Sequence, residues 1–265
     1  MKRAALIFSV LASSLALAAP AQTPLSLRLK LQPDQALNYG VKTQIAQDMM
    51  GTDLSQTVDM TMSIKTAKAE KGTQALVQMT NVKLTLPENV PLPFTVEDLT
   101  KSIESVKTTI VYSDLGKALE TKIEADDMAK MFSALSSGSA NVGFLGLEYP
   151  EKALNIGDTW SAEINLTEAL TAAGATPGPK KALPVAYTLT KVENGVATIK
   201  AVIKGTMETQ GPGGMSANLD TDTESEYLVD IATGLPTTIT TKGTNKIDFG
   251  GMTLDQKVSS TITKA

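Results

Sequence analysis

The sequence predicts a mainly β protein. It should form one or two long, curled antiparallel sheets closing into a half-barrel or barrel, with one or two short helices covering the concave side. Three observations carry that prediction. Long segments alternate apolar and polar residues with period two, most cleanly from Leu54 to Lys65. An Asn194-Gly195 step joins two such segments, and Asn-Gly between alternating runs is the strongest short-range hairpin signal. Between Thr73 and Leu86 the apolar phase slips by one residue, from Ala75, Val77 and Met79 to Val82, Leu84 and Leu86. A slip of that kind marks a β-bulge, which bends a long strand.

The first residues stand apart from the fold. Met1-Lys2-Arg3 is a basic start, Ala4 to Leu17 an apolar or small run, and Ala16-Leu-Ala18 and Ala19-Pro-Ala21 are small-x-small sites. Residues 1–21 read as a secretory signal peptide, too short and too Ala-rich for a spanning helix. No cysteine follows to carry a lipoprotein anchor, and no later apolar stretch is long enough to cross a bilayer as a helix. The expected address is the periplasm or the medium. Residues 22–265 are expected to form a single β-rich domain.

Composition removes several chemistries. The chain has neither cysteine nor histidine, so it holds no disulfide, no Ser-His-Asp machinery and no zinc site of the usual kind. No Ser-x-x-Lys occurs either. Loss of Lys2 and Arg3 takes the formal charge from −4 to −6, without a basic cluster, which disfavours nucleic acid and anionic lipid surfaces. No cofactor is expected. With one Trp and five Tyr there is little to stack a sugar ring, so carboxylate-only hydrolysis is disfavoured as well.

The elements follow in order. Leu25, Leu27, Leu29 and Leu31 alternate with Ser26, Arg28 and Lys30, which predicts a short half-buried strand before a Pro33-Asp34 turn. Tyr39, Val41, Thr43, Ile45 and Met49 share one face of a longer strand, and Gly51-Thr-Asp53 turns it back. In the next strand Leu54, Val58, Met60, Met62 and Ile64 face one way, and Thr57, Asp59, Thr61, Ser63 and Lys65 the other. After the bulged strand and a Pro87–Pro93 connector, Thr95 and Asp98 are spaced as a capping box for a helix near 96–105. Thr109–Tyr112 returns to strand. Ala125–Ser136 predicts a second helix, with Met128, Met131, Phe132 and Leu135 as its apolar stripe.

A strand is expected over Thr159–Leu166, then a Gly/Pro-rich loop, then the hairpin strands Val185–Val192 and Val196–Met207. Leu219–Val229 precedes a turn at Asp230-Ile-Ala-Thr-Gly234, and two last strands, Thr237–Phe249 and Met252–Thr263, meet at Gly250-Gly251. Tyr112-x-Asp114-x-Gly116 and Tyr227-x-x-Asp230-x-x-x-Gly234 occupy similar places in the two parts of the chain. That leaves open whether residues 22–148 and 149–265 are two similar halves.

Two constellations invite a functional reading. Asp220, Asp222, Glu224 and Glu226 stand at every second position, but Ser225 and Ile231 fall where a calcium loop needs Gly and Glu. They read as a solvent-facing stripe, with Lys242, Lys246 and Lys257 on neighbouring strands as partners. Met60, Met62 and Met79 on the sheet, with Met128, Met131 and Phe132 on the second helix and Trp160 beside them, are candidates to line an adaptable apolar surface. Gap-filling core and a ligand cavity are the two readings of that set.

Tyr149-Pro-Glu-Lys-Ala-Leu-Asn-Ile-Gly-Asp-Thr-Trp160 resembles an element of secreted bacterial domains of uncharacterised function, aromatic-Pro-x-Lys-x-Val-x-Val-Gly-Asp-x-Trp. Leu154 and Ile156 stand at the valine positions. At the level of fold, long bent antiparallel strands with an inserted helix are similar to half-barrel envelope carriers of the LolA and LppX kind. That similarity implies binding of a lipid or lipidated polypeptide on the concave face. The resulting expectation is an exported, non-enzymatic protein that binds or carries a lipid or other apolar ligand in the cell envelope. The alternative is a structural module with a solid core whose outer faces bind another envelope protein.

Overall fold

The computed structural model describes residues 23–49, 52–86, 95–125, 147–165, 176–177, 182–210, 216–249 and 252–265. Thirteen strands and one helix lie among them. The strands are β1 (Ala36–Met49), β2 (Thr52–Asp53), β3 (Gln56–Ala69), β4 (Gly72–Thr85), β5 (Lys107–Tyr112) and β6 (Ala118–Glu124). There follow β7 (Thr159–Asn165), β8 (Thr176–Pro177), β9 (Ala182–Glu193), β10 (Val196–Gln210), β11 (Ser216–Asp230), β12 (Leu235–Phe249) and β13 (Met252–Lys264). The helix, α1, is Val96–Ser105.

All the strands belong to one antiparallel sheet in the order β6-β5-β4-β3-β1-β13-β12-β11-β10-β9-β7, with β2 on β1 and β8 on β10. The path does not close: β6 and β7 are its ends. Chain order explains most of it, because successive strands joined by short turns pair as meanders. The long-range pairing is β1 with β13, where Ile45 lies opposite Val258.

Alternation decides which face is inside. On β1, Leu37, Tyr39, Val41, Thr43 and Ile45 are buried, while Asn38, Gly40, Lys42 and Gln44 are exposed. Directly paired residues share a face, so the register carries that assignment across the sheet. The resulting core runs from Ile110 and Val77 through Ile64, Tyr39 and Ile239 to Val229, Ile199, Leu189 and Tyr187.

The predicted bulge is present. Asp59 pairs with Lys83 but Thr61 with Thr80, so Asn81 and Val82 oppose Met60 alone, and Asn81 takes a positive φ of 54°. Similar register shifts occur in the β5–β6, β9–β10 and β11–β12 ladders. The β9–β10 hairpin also forms as expected: Asn194 and Gly195 both have positive φ, 51° and 78°, as a two-residue type I′ turn requires.

Three elements differ from the sequence reading or add to it. Leu25–Leu31 keeps its alternation, with Leu27, Leu29 and Leu31 buried, yet forms no ladder strand. It runs across the turn tips, so its partners change residue by residue: Leu25 bridges Leu154, Leu29 N–H donates to Asp114 O and Lys30 N–H to Thr233 O. Strand β6 has no buried residue and so offered no apolar period. Helix α1 starts with the full Thr95–Asp98 capping box, but its contacts are with the edge of β4. Strand β5 pairs with β4 only as far as Gln78, and beyond that point Val82 N–H donates to Glu104 Oε1 at 3.0 Å. The helix therefore stands in for a missing strand partner. The second helix expected over 125–136, and the turn-rich stretch after Leu166, lie outside the described residues.

Candidate functional site

Two features of the molecule gather chemistry: the inner face of the sheet and a clasp at one end of it. The clasp is built by residues 147–160. Tyr149 is extended ahead of Pro150, its N–H donates to Leu115 O at 2.7 Å, and its hydroxyl donates to Gly234 O at 2.8 Å. The Arg28 guanidinium donates to Pro150 O at 3.2 Å and Glu151 O at 2.9 Å. Leu154 exchanges both backbone hydrogen bonds with Leu25. Gly157, at φ 93°, donates to Leu189 O, and Leu189 N–H donates to Asp158 O. One dodecapeptide thus binds the amino-terminal segment, the β5–β6 turn, the β11–β12 turn and β9.

Trp160 completes the clasp. Its ring stacks on Tyr187 with centroids 5.3 Å apart, and its Nε1–H donates to Glu148 O at 2.7 Å. The only polar atom of the indole is therefore engaged within the chain, and the ring is half-buried against the core.

The methionines lie elsewhere on the same face. Met62 is buried, opposite both Tyr39 and Met79, and Met60 is opposite Val41. Met60 and Met79 are partly buried against the main core. Seven strand steps separate β3 from β7, roughly 34 Å along the sheet, so Met60 and Trp160 are not ladder neighbours. Both nevertheless border one continuous hydrophobic cluster. Met128, Met131 and Phe132 lie outside the described residues.

The electrostatics of the two faces differ sharply. Among the described residues no Asp, Glu or Arg occupies an inner-face register position, and the two Lys there, Lys68 and Lys264, stand at the ends of β3 and β13. The acidic stripe is on the outer face, as expected. Glu224 is bridged by Lys200 at 2.7 Å and Asp222 by Lys204 at 2.6 Å, while Lys242 and Lys246 stand opposite Glu224 and Asp220 on the other side. No group of three or more metal-ligating side chains occurs among the described residues.

The strongest pKa shifts belong to phenols. Burial pushes Tyr227 up to about 12 and raises Tyr39, Tyr149 and Tyr187 further still. Tyr39 donates its hydroxyl proton to Pro236 O at 3.1 Å. These are packed, neutral hydroxyls with structural partners. A cleft of about 210 Å³ lies between Leu29, Leu31, Thr73 and Tyr112. It falls below the ~300–1,000 Å³ of small-molecule pockets.

Sequence reasoning missed one set of inner-face residues: Thr221, Ser225, Asn245, Gln256 and Ser260 are polar yet buried. Their positions are in phase with the apolar residues of their strands. That phase was the available signal, but Ser, Thr and Asn in a strand more often face water.

The fold and this geometry define an unclosed antiparallel β protein whose inner face is largely apolar and free of described acids. The chain belongs to a family of unknown function, DUF6263, whose model matches residues 95–236, a span that takes in residues 149–160. Its fold is similar to that of a solved structure described as lipid–protein interactions in lipovitellin, with a TM-score of 0.51 and 13% identity. The match covers 89% of this chain and 25% of that one, so the chain spans about a quarter of its structural neighbour. No curated protein matches the chain.

Proposed function

We propose that this is an exported, non-enzymatic protein that binds or carries a lipid or other apolar ligand in the cell envelope. The ligand would lie on the inner face of the sheet, which we take to curl into a half-barrel. The observation that carries this reading is the inner face itself. Its apolar rows carry aliphatic, Met and aromatic side chains, while the described acids, and all described lysines but Lys68 and Lys264, keep off the inner-face register. Burial of an acyl chain on such a surface gains about 25 cal/mol per Å² removed from water.

The fold likeness to lipovitellin, whose structure is described in terms of lipid–protein interactions, supports the same reading. Four register shifts support the curl, because each bulge bends its strand and increases the local twist. The absence of His and Cys from the sequence removes the commonest nucleophilic and general-base machinery, which favours a binding role.

Native mass spectrometry of the protein, purified without detergent from its own envelope fraction, tests the proposal. The expected result is an added mass that organic extraction removes and lipid analysis identifies. A bare polypeptide mass, together with no uptake of fluorescent acyl probes, would instead favour a structural module that binds another envelope protein.

A further inference from the structure

Half-way along the inner face the apolar surface is interrupted. On β11, β12 and β13 the row Tyr227, Ile239, Ile262 gives way to Ser225, Thr241, Ser260. Four residues further, Thr221, Asn245 and Gln256 form another polar row, after which Leu219, Ile247 and Leu254 resume. The hydroxyl row closes on itself: Thr43 Oγ1 and Ser260 Oγ are 2.9 Å apart, and Ser225 Oγ and Thr241 Oγ1 are 2.8 Å apart.

Asn245 is different. It is 2% exposed, and its Oδ1 accepts from Thr221 Oγ1 at 2.8 Å, yet its Nδ2 has no hydrogen-bond partner. Buried amide donors are nearly always satisfied, so this one calls for an acceptor. Charge narrows the class of that acceptor. The surrounding face offers no arginine to a carboxylate or phosphate, and its two lysines, Lys68 and Lys264, stand at the far ends of β3 and β13. An ion placed there would be buried unpaired, at a heavy cost.

We propose that Asn245 is the head-group anchor of the apolar-ligand site and takes an uncharged acceptor, the carbonyl of an ester or amide. Apolar surface flanks it on both sides. The main core lies beyond Thr241, and a second cluster of Leu183 and Met207, with Ile164 and Ile203 against it, lies towards the other end. The inference rests on the binding function proposed above and specifies its ligand as a neutral acylated molecule.

The test titrates the detergent-free protein with three probes of one chain length: methyl oleate, oleate and octadecene, read by native mass spectrometry. Methyl oleate should bind about tenfold more tightly than either of the others, the worth of one buried hydrogen bond. Asn245→Leu, with its fold checked by circular dichroism, should bring the ester down to the hydrocarbon and leave octadecene unchanged. The ranking on the unaltered protein needs no variant, so a misfolded Asn245→Leu would not shield the proposal. Equal binding of ester and hydrocarbon would overturn the anchor and leave apolar binding standing. A preference for oleate would overturn the charge argument. Binding of none of the three would overturn both proposals.

Discussion

The Tyr149 hydroxyl donates to Gly234 O at 2.8 Å, joining residues 85 positions apart and closing the clasp onto the β11–β12 turn. Both partners are buried, at 2% exposure for Tyr149, and Gly234 holds a φ of 66°. Tyr149→Phe keeps the ring and leaves the carbonyl of Gly234 without its donor. The expected loss is about 1–2 kcal/mol of stability, read as a lower urea midpoint at unchanged slope. A variant as stable as the parent would show that water replaces the phenol freely.

Glycine at the turns separates two effects. A Cβ on Gly234 would lie 2.0 Å from Arg28 O, whereas a Cβ on Gly195 would meet nothing within 4 Å. Gly195→Ala should cost only the strain of its positive φ, about 1–2 kcal/mol. Gly234→Ala adds a clash with backbone and should cost roughly 3 kcal/mol or more. Thermal melts of the two variants side by side give the comparison, and equal losses would refute the packing part.

Alkaline pH should unfold the protein steeply. In the unfolded chain tyrosines ionise near 10.0, while Tyr227 holds its proton to about 12 and Tyr39, Tyr149 and Tyr187 are raised beyond that. Above pH 10 the unfolded state therefore binds fewer protons than the native state, so unfolding becomes more favourable as pH rises. Their contribution is complete below pH 10 and is lost through the native pKa values. Tyrosinate absorbance of these residues should appear together with loss of β circular dichroism. Ionisation near pH 10 in a still-folded protein would contradict the burial argument.

The outer acidic stripe should matter little to stability. Lys204 and Asp222 pair at 2.6 Å, but the two side chains are 73% and 54% exposed. Exposed pairs are screened by salt and must order two flexible side chains. Lys204→Gln is expected to leave the melting temperature unchanged at physiological salt. A clear drop would mean that the stripe acts as a coupled network with Lys200 and Glu224.

Trp160 is expected to behave as a strut. Trp160→Phe retains a ring on Tyr187 and removes the donor to Glu148 O, so stability should fall by about 1 kcal/mol. The ranking of methyl oleate, oleate and octadecene should stay as it is. A changed ranking would place the indole at the ligand.

Period-two alternation settled the strands, because one side of each must be buried and the other wet. Leu54–Lys65, the bulge between Met79 and Val82, the Asn194-Gly195 hairpin and the Thr95 cap were all legible from neighbours in sequence. Each depends on interactions only a few residues long. Strand β6 was not legible, since an edge strand with no buried residue has no period to read. The Leu25–Leu31 segment carried the right pattern but the wrong partner, as alternation reports burial and says nothing about ladder pairing.

Tertiary structure alone decided which strands meet. The β1–β13 pairing brings the two ends of the described chain together, and the clasp ties Tyr149 to turns 34 residues before and 85 after it. It also turned Thr221, Ser225, Asn245 and Ser260 from ordinary strand polars into a buried belt, by stacking them in register across neighbouring strands. Sequence determined the faces because each face is a local property of one strand. Only the assembled sheet decided what those faces hold in common, because register is a property of pairs.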